Sequence, residues 1–498
     1  MDKTYCYEDY FKPTDEEVQL NKDYKATTKK VDKLKIKKKL MELRGIVLQL
    51  LTDKNGNTSS CYRLFEKKFT EYLLTAFCVV YISGNIFFYN WKLHLYEYID
   101  SGVYLSFFKK LIDEHVGTLW SKKLENMYHE RFLRDIPIKL KEWSVPEDHI
   151  VFNNGILKIS TGEFIQGDHP ELVINRSCTG YDYDPDATCP NFIIFLEDIF
   201  NGNQNLIDVM QEMGGYTLCY GSNPLQVIVI LVGRGRNGKG VICSIIIKMH
   251  GANSCSATSV DRLSTQFGLG EIYDKVLNIS NENNENVCSD TSILKTISGN
   301  DVVMVEKKYK DPIPTRIFCK LWISTNDISF KDTSKGFEER LVPIPFNNTY
   351  VNNPKEGTNQ KKRDSNLEKK LEAECSGIFN YFYDGLKRLR ANDWKITECE
   401  EVDRLREMIV EDSNPVQLFV NTMLVKKEGA KTKKADAYER FKEWAAANSV
   451  NTGTYVSAQK FYSKFEAVLS SKGFTPQTKR IQGYDHYVDF LIKAENLT

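Results

Sequence analysis

The amino-acid sequence predicts an α/β protein: a core in which apolar strands alternate with helices, a mainly helical region before it, and a small domain of three helices and a β-hairpin after it. Three observations carry that expectation. Residues 225–346 alternate short apolar runs with helical and loop segments, the pattern of a layered core around a parallel sheet. Residues from about 60 to 145 follow helical periodicity, with aromatics spread through YLSFFKKLIDEH and ENMYHERFLRDI. Residues 411–498 hold three short helical patterns, followed by two strand-like runs around Gly483.

At 498 residues the chain is too long for a single core. Its expected divisions are 1–150, 151–220, 221–410 and 411–498. Within 151–220, HIVFNNGILKIS, Gly162–Phe164 and ELVINRSC read as strands, and Asn191–Tyr220 reads as helix up to the breaker cluster Gly-Ser-Asn-Pro. Residues 352–366 (NNPKEGTNQKKRDSN) are polar and turn-rich, as a surface insertion would be.

The bulk numbers exclude more than they assign. Hydrophobic residues at 41% and charged residues at 27% describe a foldable chain, not a disordered one. Basic and acidic residues balance at 67 each, so any case for nucleic acid must rest on local patches. One such patch is Lys22–Arg44, readable as a DNA-contacting helix or as an ordinary solvated face. The 12 cysteines form no C-x-x-C and the seven histidines no H-x-x-x-H, which argues against a zinc site or disulfide framework. The start, MDKTYCYEDYF, lacks signal-peptide architecture, and apolar runs stop well short of the ~18 residues of a membrane span. A cytoplasmic protein is expected, or a nucleoplasmic one if the host has a nucleus.

The strongest local signal is VIVILVGRGRNGKGVICSIII. An apolar strand enters a glycine-rich loop that opens an apolar helix, which is the phosphate-binding P-loop in its required context. Gly233, Gly235 and Gly238 free the backbone to curl, so that its N–H groups, with that of Asn237, converge on phosphate oxygens. Lys239 is expected to reach the β- and γ-phosphates. The next position, usually a Ser or Thr that binds Mg²⁺, is Gly240. ATP and Mg²⁺ are therefore the expected cofactors, with the metal contact weakened.

Three later strand ends add candidates. Val276–Ser280 leads to Asn281-Glu282, and Glu282 is the expected metal-holding or water-orienting carboxylate, against the alternative of an exposed polar loop. Lys320–Ser324 ends in Thr325-Asn326, where an amide can bond the γ-phosphate and the attacking water, or simply form a turn. Arg340, in FEERLVPIPF, is either an arginine finger for a neighbouring subunit or a surface ion-pair partner.

The order NGILKISTGEF, YDYDPDATCPNFIIFLEDIF, GRGRNGKG, ISNE, SGNDVVMVEKKYKDPI, WISTND and FEERLVPIPF resembles the phage and plasmid primase–helicase family, which poxvirus-type replicative helicases also join. That family comprises superfamily 3 helicases of the AAA+ class, and the likeness spans about residues 150–350. It implies an AAA+ P-loop ATPase domain over 221–410, preceded by a family-specific segment and followed by a winged-helix DNA-binding domain over 411–498. It also implies a hexameric ring around DNA with ATP between subunits. By the same resemblance, Lys239 matches the Walker A lysine, Glu282 the Walker B glutamate, Asn326 the polar sensor and Arg340 the arginine finger. Lys307, Lys308 and Lys310 match a DNA-gripping hairpin, and Lys460, Lys464, Lys479 and Arg480 are the expected contacts of the C-terminal domain. Gly240 and Asn281 depart from the family pattern at the metal. Asp182 and Asp184 form a D-x-D, but they fall in the stretch preceding the ATPase, so they read as structural and a primase is expected on a separate chain. A generic α+β interaction domain remains the alternative for 411–498. For the whole chain, the alternatives are an origin-binding initiator of a phage, plasmid, virus or mobile element that scarcely hydrolyses ATP, and a P-loop enzyme unrelated to DNA.

Overall fold

In the computed structural model, residues 5–492 are described except 53, 56, 117–118, 142–146, 176, 283–286, 289–290, 309–310, 327–328, 331–333, 414, 449–451, 453–454, 456 and 472–477. The chain folds as two units. One comprises Met1–Ala187 with Ile247–Cys255 and Cys375–Gly377; the other comprises Thr188–Ile246, Ser256–Glu374 and Ile378–Thr498.

The first unit is more mixed than its periodicity predicts. Helices Glu66–Ala76, Ser101–Asp113 and Lys122–Asp135 pack around a core rich in aromatics, including Phe69, Phe77, Phe88, Phe108 and Phe132. Between the first two lie strands Val79–Ile82, Asn85–Asn90 and Leu95–Tyr98, where sequence reasoning expects helix. The overlooked signal is a tight hairpin: Ser83 and Gly84 both take positive φ, as a type I′ turn requires, between runs of β-branched and aromatic residues. The expected strands near 150 form a three-stranded meander, His149–Phe152, Gly155–Lys158 and Glu163–Gln166. ELVINRSC forms no strand among its described residues. It follows Pro170, and the Asn175 side chain is used locally, donating to the carbonyls of His94 (2.8 Å) and Ser177 (2.8 Å). The Asp184 carboxylate accepts the backbone N–H of Asp186 (3.0 Å).

In the second unit a parallel sheet carries the architecture. We label its strands β1 (Ile228–Val232), β2 (Cys255–Ser256), β3 (Leu277–Glu282), β4 (Lys320–Thr325) and β5 (Leu341–Pro345). The spatial order is β2-β3-β4-β1-β5, and β3, β4, β1 and β5 pair parallel. Both neighbours of β1 come late in the chain, so the chain leaves β1 for the far edge and returns strand by strand. Such a break in strand order opens a crevice at the carboxyl ends of the strands. Strands buried on both faces are largely apolar, and Ile228, Ile230, Leu321, Trp322, Ile323 and Leu341 are all buried. The expected helix 191–220 is two helices, Pro190–Ile199 and Gln204–Tyr216, separated where Asn201 and Gly202 take positive φ. Gly214 and Gly215 let the second of these helices press against Cys375–Ala391 so closely that a Cβ would collide with Phe382.

The tail runs helix Pro415–Met423, strand Leu424–Lys433, helices Lys434–Ala447 and Ala458–Ser471, then strands Thr478–Ile481 and Tyr484–Ile492. The expected hairpin is present, with Gln482 and Gly483 at positive φ in its turn. Leu424–Lys433 joins it as a third antiparallel strand that sequence reasoning did not foresee. Its lysine-rich alternation is weak, and its register shifts between Lys426 and Lys431, around Gly429 at positive φ.

Candidate functional site

The glycine-rich loop leaves the carboxyl end of β1 at the centre of the sheet, and its glycines are not equivalent. A Cβ on Gly233 would collide with the Phe346 carbonyl and the Asn237 amide, and Gly238 has a φ of 95°. Gly235 and Gly240, by contrast, face open space. Asn237 is buried and holds the curl: its Nδ2 donates to the Phe346 carbonyl (3.3 Å) and its Oδ1 accepts the Lys239 N–H (3.4 Å). The loop is also tied to its surroundings by Gly233 N–H to the Thr325 carbonyl (3.2 Å) and Tyr350 N–H to the Arg236 carbonyl (2.7 Å). Lys239 opens the helix Lys239–His250, and its ammonium donates to the Gly233 carbonyl inside the curl. Burial lowers its pKa.

Register aligns the other candidates with this loop. Val232 lies opposite Thr325, and Thr325 opposite Glu282, so β1, β4 and β3 end level with one another. Glu282 is the last residue of β3, with a side chain outside the described residues, and the exposed Asn326 directly follows β4. Asn281, opposite Ser324, is exposed at the same edge. Gly240 offers no oxygen and Asn281 only a neutral one, so Glu282 is the one carboxylate of the expected set for a divalent cation. No cluster of three metal-binding side chains occurs among the described residues.

Arg340 is not at this edge. It immediately precedes β5, whose Leu341 lies opposite Ile228 at the start of β1, and its carbonyl accepts the Ile228 N–H (2.7 Å). Four residues of strand, roughly 13 Å at ~3.3 Å per residue, separate that level from the loop. Its half-buried guanidinium donates to Ser298 Oγ (3.0 Å) and to the Gly336 carbonyl (3.2 Å).

The expected DNA-facing residues fall on two other features. Val302–Val305 and Ile313–Arg316 form an antiparallel hairpin with Lys307 and Lys308 in its connection. Lys308 is exposed, whereas the Lys307 ammonium sits 3.8 Å from the Tyr273 ring centre; Lys310 lies outside the described residues. Lys479 and Arg480 are exposed on Thr478–Ile481, and Lys460 is exposed and Lys464 half-buried on Ala458–Ser471. Sequence reasoning missed the wall beside the loop. A cavity of about 560 Å³ is lined by Arg236–Gly238, Gly240 and Val241 on one side and by Lys362–Ser365 on the other. No motif marks 362–365, because its place depends on how the insertion returns.

Three family models match the chain. A D5 N-terminal-like model covers residues 67–201, and a poxvirus D5 protein-like model covers 411–496. The two D5 matches support the likeness of this chain to the phage and viral primase–helicase family. Between the two D5 matches, residues 231–340, which hold the glycine-rich loop, fit a family of unknown function (DUF5906). A protein named "Putative helicase 022R" from Frog virus 3 (isolate Goorha) is 21% identical over 268 residues, which are 51% of this chain and 28% of that protein. The chain thus spans under a third of that relative's length. Two apo structures of the NrS-1 C-terminal region show a TM-score of 0.47 at 14% and 13% identity, over 84% of this chain and 97% of theirs. No helix among the described residues is long and apolar enough to cross a membrane.

Proposed function

We propose that this chain is an ATP-hydrolysing, ring-forming DNA helicase acting at the start of replication of a phage, plasmid, virus or mobile element. The observation that carries the reading is the division of the expected site between the two ends of one sheet. Lys239, Glu282 and Asn326 share the loop edge, whereas Arg340 stands some 13 Å away at the opposite edge. An arginine so placed serves a neighbour's nucleotide, and a head-to-tail interface of that kind closes into a ring, here most simply a hexamer. The strand order and the loop between β1 and the helix Lys239–His250 support an AAA+ P-loop core.

The loop fits a nucleotide: Gly233 occupies a place no side chain can, and the buried Asn237 fixes the curl. In hydrolysis Lys239 neutralises phosphate charge, Glu282 orients the attacking water, Asn326 bonds the γ-phosphate, and Arg340 from the adjacent subunit stabilises the transition state. Glu282 would hold a magnesium ion, which would supply positive charge to offset that of the phosphates. The hairpin carrying Lys307 and Lys308 supports a grip on single-stranded DNA in a channel. The order helix–strand–helix–helix–strand–strand of the tail supports a winged helix, with Lys479 and Arg480 on duplex or origin DNA. Priming is assigned to a separate chain, and the expected compartment is the cytoplasm.

A second reading is favoured by Gly240 and Asn281: an origin-binding initiator that holds nucleotide and scarcely hydrolyses it. Strand displacement on a forked duplex, with ATP and with or without Mg²⁺, separates the two. The helicase unwinds only with ATP and Mg²⁺; an initiator binds the fork and leaves it paired.

A further inference from the structure

The insertion 352–366 does not stand away from the core. Thr349–Val351 pairs parallel with Gln360–Lys362, and the Arg363 N–H donates to the Val351 carbonyl (3.0 Å). The same short strand is bonded to the glycine-rich loop through Tyr350 N–H and the Arg236 carbonyl (2.7 Å). Asp198 anchors both strands: its carboxylate accepts from Tyr350 Oη (2.6 Å) and Lys361 Nζ (2.9 Å). The segment is therefore fixed to the loop, and it forms the far wall of the 560 Å³ cavity.

Charge in that cavity is sorted unevenly. Of its three carboxylates, two are neutralised nearby, Asp198 by Lys361 and Asp364 by Lys370 (2.8 Å), and the third, Glu368, is exposed. Lys362 and Arg363, also in its lining, are exposed cations for which the structure records no side-chain hydrogen bond or ion pair. Arg236, in the loop itself, is a third such cation on the opposite wall. Unpaired cations on both walls of a cleft beside a phosphate-binding curl favour a polyanion.

We infer that Lys362 and Arg363 bind the phosphate flank of the nucleotide from the same chain that supplies the loop, so that the insertion is a clasp over the site. The inference rests on the nucleotide reading of the loop. It gives this chain a source of positive charge at the one place where Gly240 and Asn281 withhold metal ligands.

The test measures fluorescent ATP and ADP analogues on the full-length protein, in Mg²⁺ and in EDTA, for the wild type, Lys239→Ala, and the double variant Lys362→Ala/Arg363→Ala. The double variant should weaken ATP binding roughly tenfold or more, with a larger loss in EDTA than in Mg²⁺. It should melt like the wild type without nucleotide, because neither side chain has a recorded partner to lose. Arg363→Lys should retain part of the affinity. If Lys239→Ala loses nucleotide but the double variant binds within twofold of wild type in both buffers, the clasp is wrong and the loop reading stands. If the wild type binds no nucleotide, both fall.

Discussion

The two ends of the parallel sheet are built in opposite ways. At the carboxyl end the backbone turns away in loops: Gly233 sits where no Cβ fits, Asn326 is exposed, and the Lys239 ammonium is held only by a carbonyl of its own loop. At the amino end the two cations are held by several fixed partners. Lys320 is fully buried, with its ammonium donating to the carbonyls of Cys219, Ser222 (2.6 Å) and Phe318 (3.2 Å), and Arg340 is bonded to Ser298 and Gly336. On the proposed reading, one end receives a ligand, while the other holds shape and carries Arg340.

The largest effect should come from the cation at the amino end. Arg340→Ala should reduce ATP hydrolysis by about 10³-fold or more while nucleotide binding survives, checked by steady-state ATPase against equilibrium titration. A parallel collapse of binding would mean that Arg340 is a packing residue held by Ser298.

Within the loop the two kinds of glycine give the next contrast. Gly233→Ala must push the Phe346 carbonyl or the Asn237 amide aside, so nucleotide affinity should fall on the order of 100-fold. Gly235→Ala, facing open space, should stay within about threefold of wild type. Equal losses at both positions would erase the distinction.

Gly240→Thr is the constructive counterpart. The open space at Gly240 admits a side chain, and a hydroxyl there should lower the half-saturating Mg²⁺ concentration for ATPase ~5–10-fold. Loss of activity on this substitution would show that the pocket needs bare backbone there.

The smallest effect concerns Lys320. Burial lowers its pKa from 10.5 to about 8. Between those values the unfolded chain holds a proton that the folded chain has released, so stability rises with pH from about 8 towards 10.5, and the penalty is fully present below pH 8. Denaturant melts of wild type and Lys320→Met across that window should differ in slope, the variant lacking this rise. Identical slopes would mean that the three carbonyls keep the ammonium charged.

What the sequence revealed follows from the range over which each signal acts. The curl GRGRNGKG, the strand before it and the helix after it are contiguous, so sequence spacing locates them. Asn281, Glu282 and Asn326 were legible because apolar strands end abruptly in polar residues, and parallel register then sets them level. The meaning of Arg340's position was not legible, because sequence gives the strand but not which end of the sheet its first residue occupies. Strands within 79–98 were hidden by aromatics that suit helix and strand alike. The wall at 362–365 was hidden because its position depends on the Asp198 anchor, more than 160 residues earlier. Leu424–Lys433 became a strand only through pairing with residues near the end of the tail.

The most direct test of this two-ended account is a mixing experiment. Lys239→Ala keeps the amino-end arginine and loses the loop, whereas Arg340→Ala keeps the loop and loses the arginine. Each alone should be nearly inactive. Mixed in equal amounts and allowed to exchange subunits, they should recover up to about a quarter of wild-type ATPase, because one interface in four pairs an intact loop with an intact Arg340. A mixture no more active than its parts, or Arg340→Ala hydrolysing ATP like the wild type by itself, would contradict the assignment of the two ends to one site shared between subunits.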